Sequence, residues 1–221
     1  MSIRVVLVDD QAVARGGFRA ILEPEEDIEV VDEGYDGRSG IQAARRSSPD
    51  VVLMDVRMPG IDGIEATRAL AGPEVDEPLD VLVITTFEVD EYVFRALRAG
   101  AAGFLLKDAP PEEIVGAIRT IAAGEGLVAP RVTRRLIAEF ARANAPPAHE
   151  PAALGELTGR EREVLHEVAA GWSNAEIAQR LFLEETTVKS HVRSVLTKLG
   201  LRDRVHAVVY AYEHGLVRPG S

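Results

Sequence analysis

Val51-Val52-Leu53-Met54-Asp55 decides the fold: four apolar residues run without a polar break and stop at a carboxylate. An unbroken apolar run of this length, rather than an alternating one, is the pattern of a strand buried on both faces, as in a parallel sheet covered by helices. Ile3–Val8 is a second strand-like run and stops at the acidic pair Asp9-Asp10. Further strand-like runs fall at Ile28–Val31, Val81–Thr85 and Gly103–Leu106. Helical patterns separate them: Val13, Phe18, Ile21 and Leu22 in the first interval, then stretches over 38–46, 62–71, 89–98 and 111–123. Five alternations of strand and helix predict an α/β domain with a doubly wound, five-stranded parallel sheet.

Open α/β sheets bind ligands at the carboxyl edge of their strands. The residues that finish the strands here are Asp9, Asp10, Asp55 and Thr85, and Lys107 follows the fifth. Crowded carboxylates raise one another's pKa unless a cation compensates, and a hard divalent ion such as Mg2+ takes oxygen ligands. The set suits receipt of a phosphoryl group by a carboxylate. In that chemistry Asp55 would be the nucleophile, Asp9 and Asp10 would hold the metal, and Lys107 and Thr85 would address the phosphoryl oxygens. Any one strand-end aspartate alone is more simply a helix cap, and Asp10 is placed to cap the helix after it. Downstream of Asp55, Pro59-Gly60 supplies a turn and Asp62 a cap for the next helix, shaping the loop beside the acid.

At 221 residues and 46% hydrophobic content the chain has enough material for packed cores, and with no cysteine it has neither disulfides nor Cys-ligated zinc. The opening run is too short for a membrane span and carries no signal-peptide pattern, so a cytoplasmic location without membrane contact is expected. The formal charge of −11 argues against nucleic acid only until its distribution is considered. Residues 1–153 carry 16 Lys and Arg against 27 Asp and Glu, whereas residues 154–221 carry 9 of each. Between Thr186 and Arg204, Lys189, Arg193, Lys198, Arg202 and Arg204 face Asp203 as the one acid.

After Gly124 the pattern changes to one helix, Arg131 to Ala143, followed by Asn144-Ala145-Pro146-Pro147-Ala148-His149-Glu150-Pro151, a linker. Everything beyond it is helical: Gly159–Ala170, Asn174–Phe182, Thr186–Leu199 and Asp203–His214. The expected organisation is 1–124, a linker helix and Pro-rich linker over 125–153, and a helical domain over 154–217. Asn174–Phe182 and Thr186–Leu199, joined by a tight turn, make a helix-turn-helix, with the motif spanning Asn174 to Arg193. In its second helix Val188, Val192, Val195 and Leu199 form the buried stripe. Lys189, Arg193 and Thr197 share another face, with Thr187 and Ser190 beside it, in reach of a major groove. Hydroxyl or amide groups at helix starts (Thr158, Ser173, Asn174, Thr186) add phosphate-facing positions, which makes DNA the expected partner. The five histidines show no metal-ligand spacing and no carboxylate partner pattern, and Trp172 is expected as a core anchor at a helix end.

These residues carry a resemblance. Leu7-Val8-Asp9-Asp10, Met54-Asp55-Val56-Arg57-Met58-Pro59-Gly60-Ile61-Asp62-Gly63, Thr85-Thr86 and Gly103-Phe104-Leu105-Leu106-Lys107 resemble a response-regulator receiver domain. Leu157-Thr158-Gly159-Arg160-Glu161, Gly171, Asn174, Glu176-Ile177-Ala178, Thr186 to Val192 and Lys198-Leu199-Gly200 resemble a LuxR-type helix-turn-helix domain, and the whole chain is similar to the NarL/FixJ family. His206 stands where that family often has Gln, and Asp108 follows Lys107 where other receivers often have Pro. The resemblance implies that Asp55 is the phosphoacceptor and that Asp9, Asp10 and the backbone carbonyl of Arg57 join it at a Mg2+ site. It implies that Thr85 and Phe104 rearrange on activation, and that Thr187, Lys189, Ser190, Arg193 and Lys198 serve DNA binding. A sensor histidine kinase, double-stranded DNA and a second copy of the chain, as a homodimer when phosphorylated, are the implied partners. In the last helix Val205, Val208, Val209 and Tyr212 close the four-helix core, and the resemblance implies that an exposed part of that helix also makes the dimer contact.

Two other readings are weaker. A haloacid-dehalogenase-type phosphatase also uses a strand-end Asp and Mg2+, but needs a second Asp two residues after its nucleophile, where this chain has Arg57. A small-ligand-sensing LuxR-type regulator calls for an apolar pocket in the first half rather than an acid cluster. The expectation is a regulator, not an enzyme.

Overall fold

A computed structural model of the chain describes residues 2–86, 90–124, 127–128 and 152–216. The chain divides into two compact units, Met1–Leu127 and Val128–Ser221. The helix expected over Arg131 to Ala143 and the proline-rich stretch after it lie outside the described residues.

In the first unit β1 (Ile3–Val8), β2 (Ile28–Gly34), β3 (Val51–Asp55), β4 (Val81–Thr85) and β5 (Gly103–Leu106) alternate with α1 (Ala12–Leu22), α2 (Gly37–Ser47), α3 (Gly63–Ala71), α4 (Asp90–Arg98) and α5 (Pro111–Ala122). A two-residue strand, β6 (Leu127–Val128), extends the sheet beyond the five strands expected, giving the order β2-β1-β3-β4-β5-β6. The β1–β2, β1–β3, β3–β4 and β4–β5 pairs are parallel. Every residue of β3 and β4 is buried, as the unbroken apolar runs require of strands covered on both faces.

Strand order reverses between β1 and β3, and pairing of Val8 with Met54 brings Asp9 and Asp55 to the same level at that switch point. Pairing of Asp55 with Ile84 and of Thr85 with Leu106 sets the ends of β4 and β5 beside them. The loop after β3 is closed at its base, where the Gly63 N–H donates to the Val56 carbonyl at 2.8 Å. Glycine is required there because a Cβ would lie 1.8 Å from the Asp55 carbonyl oxygen. Asp62 caps α3 by accepting the Glu65 N–H at 2.7 Å, as expected, and Gly60 turns the loop at φ +78°.

The described residues of the second unit after Val128 form a short 3-10 helix, Ala152–Glu156, and then α6 (Gly159–Ala169), α7 (Asn174–Leu181), α8 (Glu185–Leu199) and α9 (Arg204–Glu213). Capping boxes start α6 (Thr158 with Glu161) and α7 (Ser173 with Glu176). Leu154, Val164, Leu165, Val168, Ile177, Val188, Val195, Val205, Val208 and Ala211 form the core. Of the stripe expected on α8, Val188 and Val195 are buried and Val192 and Leu199 half-buried.

Candidate functional site

The acids meet as the strand ends require. Single carboxylate oxygens of Asp9, Asp10 and Asp55 lie within 4.8 Å of one another. Asp9 is 1% and Asp55 3% exposed, while Asp10 is exposed. Lys107, carried in by the turn after β5, places Nζ 2.5 Å from Asp9 Oδ2 and 3.2 Å from Asp55 Oδ2. The Lys107 N–H donates to the Thr85 carbonyl at 2.8 Å, which fixes the lysine's backbone against the end of β4. Thr85 is buried at the end of β4, and Arg57 is exposed in the loop beyond Asp55. Phe104 is fully buried on β5, so its ring belongs to the core.

The simple capping role of Asp10 is not what forms. The residue before α1 is Gln11, which makes no side-chain capping bond, and it is Asp9 Oδ1 that accepts the Gln11 N–H at 2.9 Å. Asp10 is left beside the other two carboxylates. Burial pushes the Asp55 carboxyl up from its ordinary value, Lys107 opposes this, and Asp9 adds to it. The Val56 N–H donates to Asp55 Oδ1 at 2.9 Å, so the other oxygen, Oδ2, is the one that faces the lysine. Three hard oxygen donors with one ammonium fit both a divalent cation and an anionic group to be bridged to it.

In the second unit Lys189, Ser190 and Arg193 are exposed on α8 and Thr187 is half-buried at its start. Lys189 lies 3.6 Å from Glu185 one turn earlier, an exposed pair that a competing phosphate can displace. Lys198 departs from the expected DNA-facing set. Its Nζ lies 2.7 Å from Glu161 Oε2, and Ser194 donates to Glu161 Oε1 at 2.6 Å. The reason is helical phase: nine residues separate Lys189 from Lys198, so at 3.6 residues per turn the two project from opposite sides. Arg204 is also diverted, donating to Asn174 Oδ1 at 2.9 Å and to the Trp172 carbonyl. Thr158 and Ser173 are consumed by their capping boxes.

His206 corrects the expectation that no histidine has a carboxylate partner, because its Nδ1 lies 2.9 Å from Asp203 Oδ1. Its i,i+3 spacing across the start of α9 was the available signal. Trp172 is half-buried rather than a core anchor, with the Arg180 guanidinium 4.5 Å from its ring centroid.

Glu161, which the sequence marks only as part of the LuxR-like motif, ties α6 to α8. Hydrogen bonds from Lys198 first, then Ser194 and the Thr158 backbone, pull its carboxyl from 4.5 down to about 2. A carboxyl depressed on folding stabilises the fold above its unfolded value, and that contribution is lost as pH falls towards the folded one. The second unit is therefore expected to hold its melting temperature from pH 7 to 5 and to lose it progressively between about 4.5 and 2. Trp172, the one tryptophan, lies in this unit and reports its melting within the whole chain. Glu161→Gln is expected to flatten the decline, and a decline of unchanged steepness would assign it to other carboxylates.

Residues 5–119 match the response regulator receiver domain family, and residues 155–211 match the luxR family of bacterial regulatory proteins. The uncharacterized transcriptional regulatory protein YxjL of Bacillus subtilis is 42% identical over 98% of this chain and 98% of its own. The oxygen regulatory protein NreC of Staphylococcus aureus is 39% identical, covering 97% of this chain and 99% of its own. Among solved structures, the response regulator ChrA of a heme-sensing two-component system is 38% identical, with a TM-score of 0.53 over 98% of this chain and 99% of that one.

Proposed function

Since the chain belongs to the response regulators that join a receiver domain to a LuxR-type DNA-binding domain, we propose that phosphoryl transfer from a sensor histidine kinase to Asp55 controls its binding to DNA. The chain is a transcriptional regulator of the two-component type, and neither the phosphatase reading nor the ligand-sensor reading is favoured. The observation that carries the site assignment is the Asp55 carboxylate, buried at the switch point, with the Lys107 ammonium at 3.2 Å and Asp9 and Asp10 alongside.

Asp55 Oδ2 attacks the phosphorus of a phosphohistidine. The O–P bond forms as the P–N bond breaks, and the imidazole nitrogen keeps the bonding pair. Lys107 exchanges part of its contact with the carboxylates for the incoming phosphoryl oxygens, and the Thr85 hydroxyl donates to another. Asp9, Asp10, Asp55 and the Arg57 carbonyl would hold Mg2+, which would supply positive charge to neutralise the phosphoryl group. The acyl phosphate adds about 1.5 to 2 negative charges to a site whose one ammonium is already shared, and Thr85 and Phe104 convert that change into a different surface.

The proposed functional boundaries are a receiver over 1–124, a linker over 125–153 and a DNA-binding domain over 154–217. The role is regulatory rather than enzymatic and is exercised in the cytoplasm. No helix among the described residues is long and apolar enough to cross a membrane. Thr187, Lys189, Ser190 and Arg193 on α8 address double-stranded DNA, and phosphorylated chains pair as a homodimer to occupy two half-sites. Incubation with a small phosphoryl donor and Mg2+, followed by intact-mass spectrometry, tests the central step. One phosphoryl adduct per chain that requires Mg2+ is expected, and no adduct would overturn the reading.

Asp10→Ala is expected to weaken Mg2+ binding by about tenfold or more and to slow phosphorylation at low Mg2+, because an exposed acid with no capping role is removed from the cluster. Phosphorylation rate against Mg2+ concentration measures this, and a superimposable curve would remove Asp10 from the metal site.

A further inference from the structure

We infer that Arg15 is a positioning residue for the acidic site: its guanidinium fixes the Asp9–Asp10 peptide and so sets where the Asp10 carboxylate lies beside that of Asp9. The inference rests on the reading of Asp9 and Asp10 as metal-site acids given above.

Arg15 stands one turn into α1 with its side chain 18% exposed. Its Nη1 donates to the backbone carbonyl of Asp9 at 2.7 Å, and its Nε donates to Glu33 Oε2 at 3.1 Å near the end of β2. Glu33 is held in turn by Arg19, whose Nε and Nη2 lie 3.0 and 2.5 Å from Oε1. One fork thus ties the residue that ends β1 to the end of β2 through the first turns of α1.

The carbonyl it holds belongs to the peptide joining Asp9 to Asp10. That group is planar, so fixing its oxygen also fixes the direction in which the Asp10 N–H and Cα leave β1. Asp9 has other anchors. Its N–H donates to Gly34 at 3.2 Å, and its carboxylate accepts from Gln11 and Lys107. Asp10 is exposed and does not cap α1, so its orientation depends on the backbone that carries it. The effect is geometric rather than one of charge, because Glu33 and Glu23 together offset the guanidinium groups of Arg15 and Arg19. A lysine is not a substitute, since a single ammonium lacks the fixed fork that reaches both a carbonyl and a carboxylate.

The test uses the full chain and Mn2+ as the metal probe, titrated by loss of the free-ion paramagnetic resonance signal. Arg15→Lys and Arg15→Met are compared with wild type, and circular dichroism melts confirm folding. Both variants are expected to bind Mn2+ about 10–100-fold more weakly, the range found when a group supporting metal ligands is removed. Phosphorylation of both is expected to recover towards the wild-type rate at saturating Mg2+. A role in packing alone would lower the melting temperature and leave Mn2+ affinity unchanged, and that outcome overturns the inference. Should Arg15→Met fail to fold, Arg15→Lys decides. Failure of wild type to bind Mn2+ or accept a phosphoryl group would instead overturn the reading of the site, so the two failures are distinguishable.

Discussion

Asp55→Asn is expected to abolish phosphorylation and leave the receiver at least as stable as wild type. The amide has the size of the carboxylate, and its oxygen can still accept the Val56 N–H that Oδ1 accepts at 2.9 Å. What disappears is the nucleophile, because an amide nitrogen or oxygen does not displace a phosphoryl donor. The sign of the stability effect follows from burial. Burial raises the Asp55 carboxyl above its ordinary value, so the folded state holds that proton more tightly than the unfolded one, and the ionised form opposes folding at neutral pH. Removing the charge relieves that opposition, and Lys107 keeps Asp9 as a partner at 2.5 Å. Intact-mass spectrometry after treatment with a small phosphoryl donor and Mg2+ should show no adduct, with an unchanged or higher melting temperature by circular dichroism. A stoichiometric adduct on the variant would place the phosphoacceptor elsewhere.

The receiver was legible because parallel strands advertise both their burial and their ends. Among five alternations of strand-like and helical stretches, Val51 to Met54 reads as a covered strand, and a carboxylate at its end emerges at the carboxyl edge of the sheet with those that follow Val8. The two-residue β6 carried no comparable signal, and Arg15 was hidden because its role depends on a bond to a backbone carbonyl, which no side-chain pattern announces. The second unit was legible as helices but less so as a surface. A basic stripe counted along the sequence joined Lys189 to Lys198 and Arg204, whereas the helix repeat and the caps sort them apart. Lys198 turns towards Glu161 and Arg204 towards Asn174 and Trp172, so charge that suggested a ligand holds the domain together. The set proposed for the groove that remains accessible on α8 is short: Lys189, Ser190 and Arg193 are exposed, with Thr187 half-buried at the helix start.

That short set makes the double variant Lys189→Ala/Arg193→Ala the severest test of the output domain. The two residues are four apart and exposed on α8, so they lie on one face, and neither contributes to the core built on Val188 and Val195. Folding and Asp55 phosphorylation are expected to be unaffected. If both side chains meet phosphates, specific and nonspecific binding should fall together, and the slope of log affinity against log salt should shrink by about two units. If either reads a base edge, a further loss of about 1–3 kcal/mol should appear on the preferred sequence alone. Binding to an operator and to scrambled DNA at several salt concentrations separates these outcomes. The comparison that isolates geometry from charge is Lys198→Ala. It removes one formal charge from the same helix, as Lys189→Ala alone does, but on the face turned to Glu161, so it should lower the melting temperature of the second unit and change the salt slope far less than Lys189→Ala does. Equal salt effects from these two single variants would mean that net charge, not the face defined by Lys189 and Arg193, governs binding.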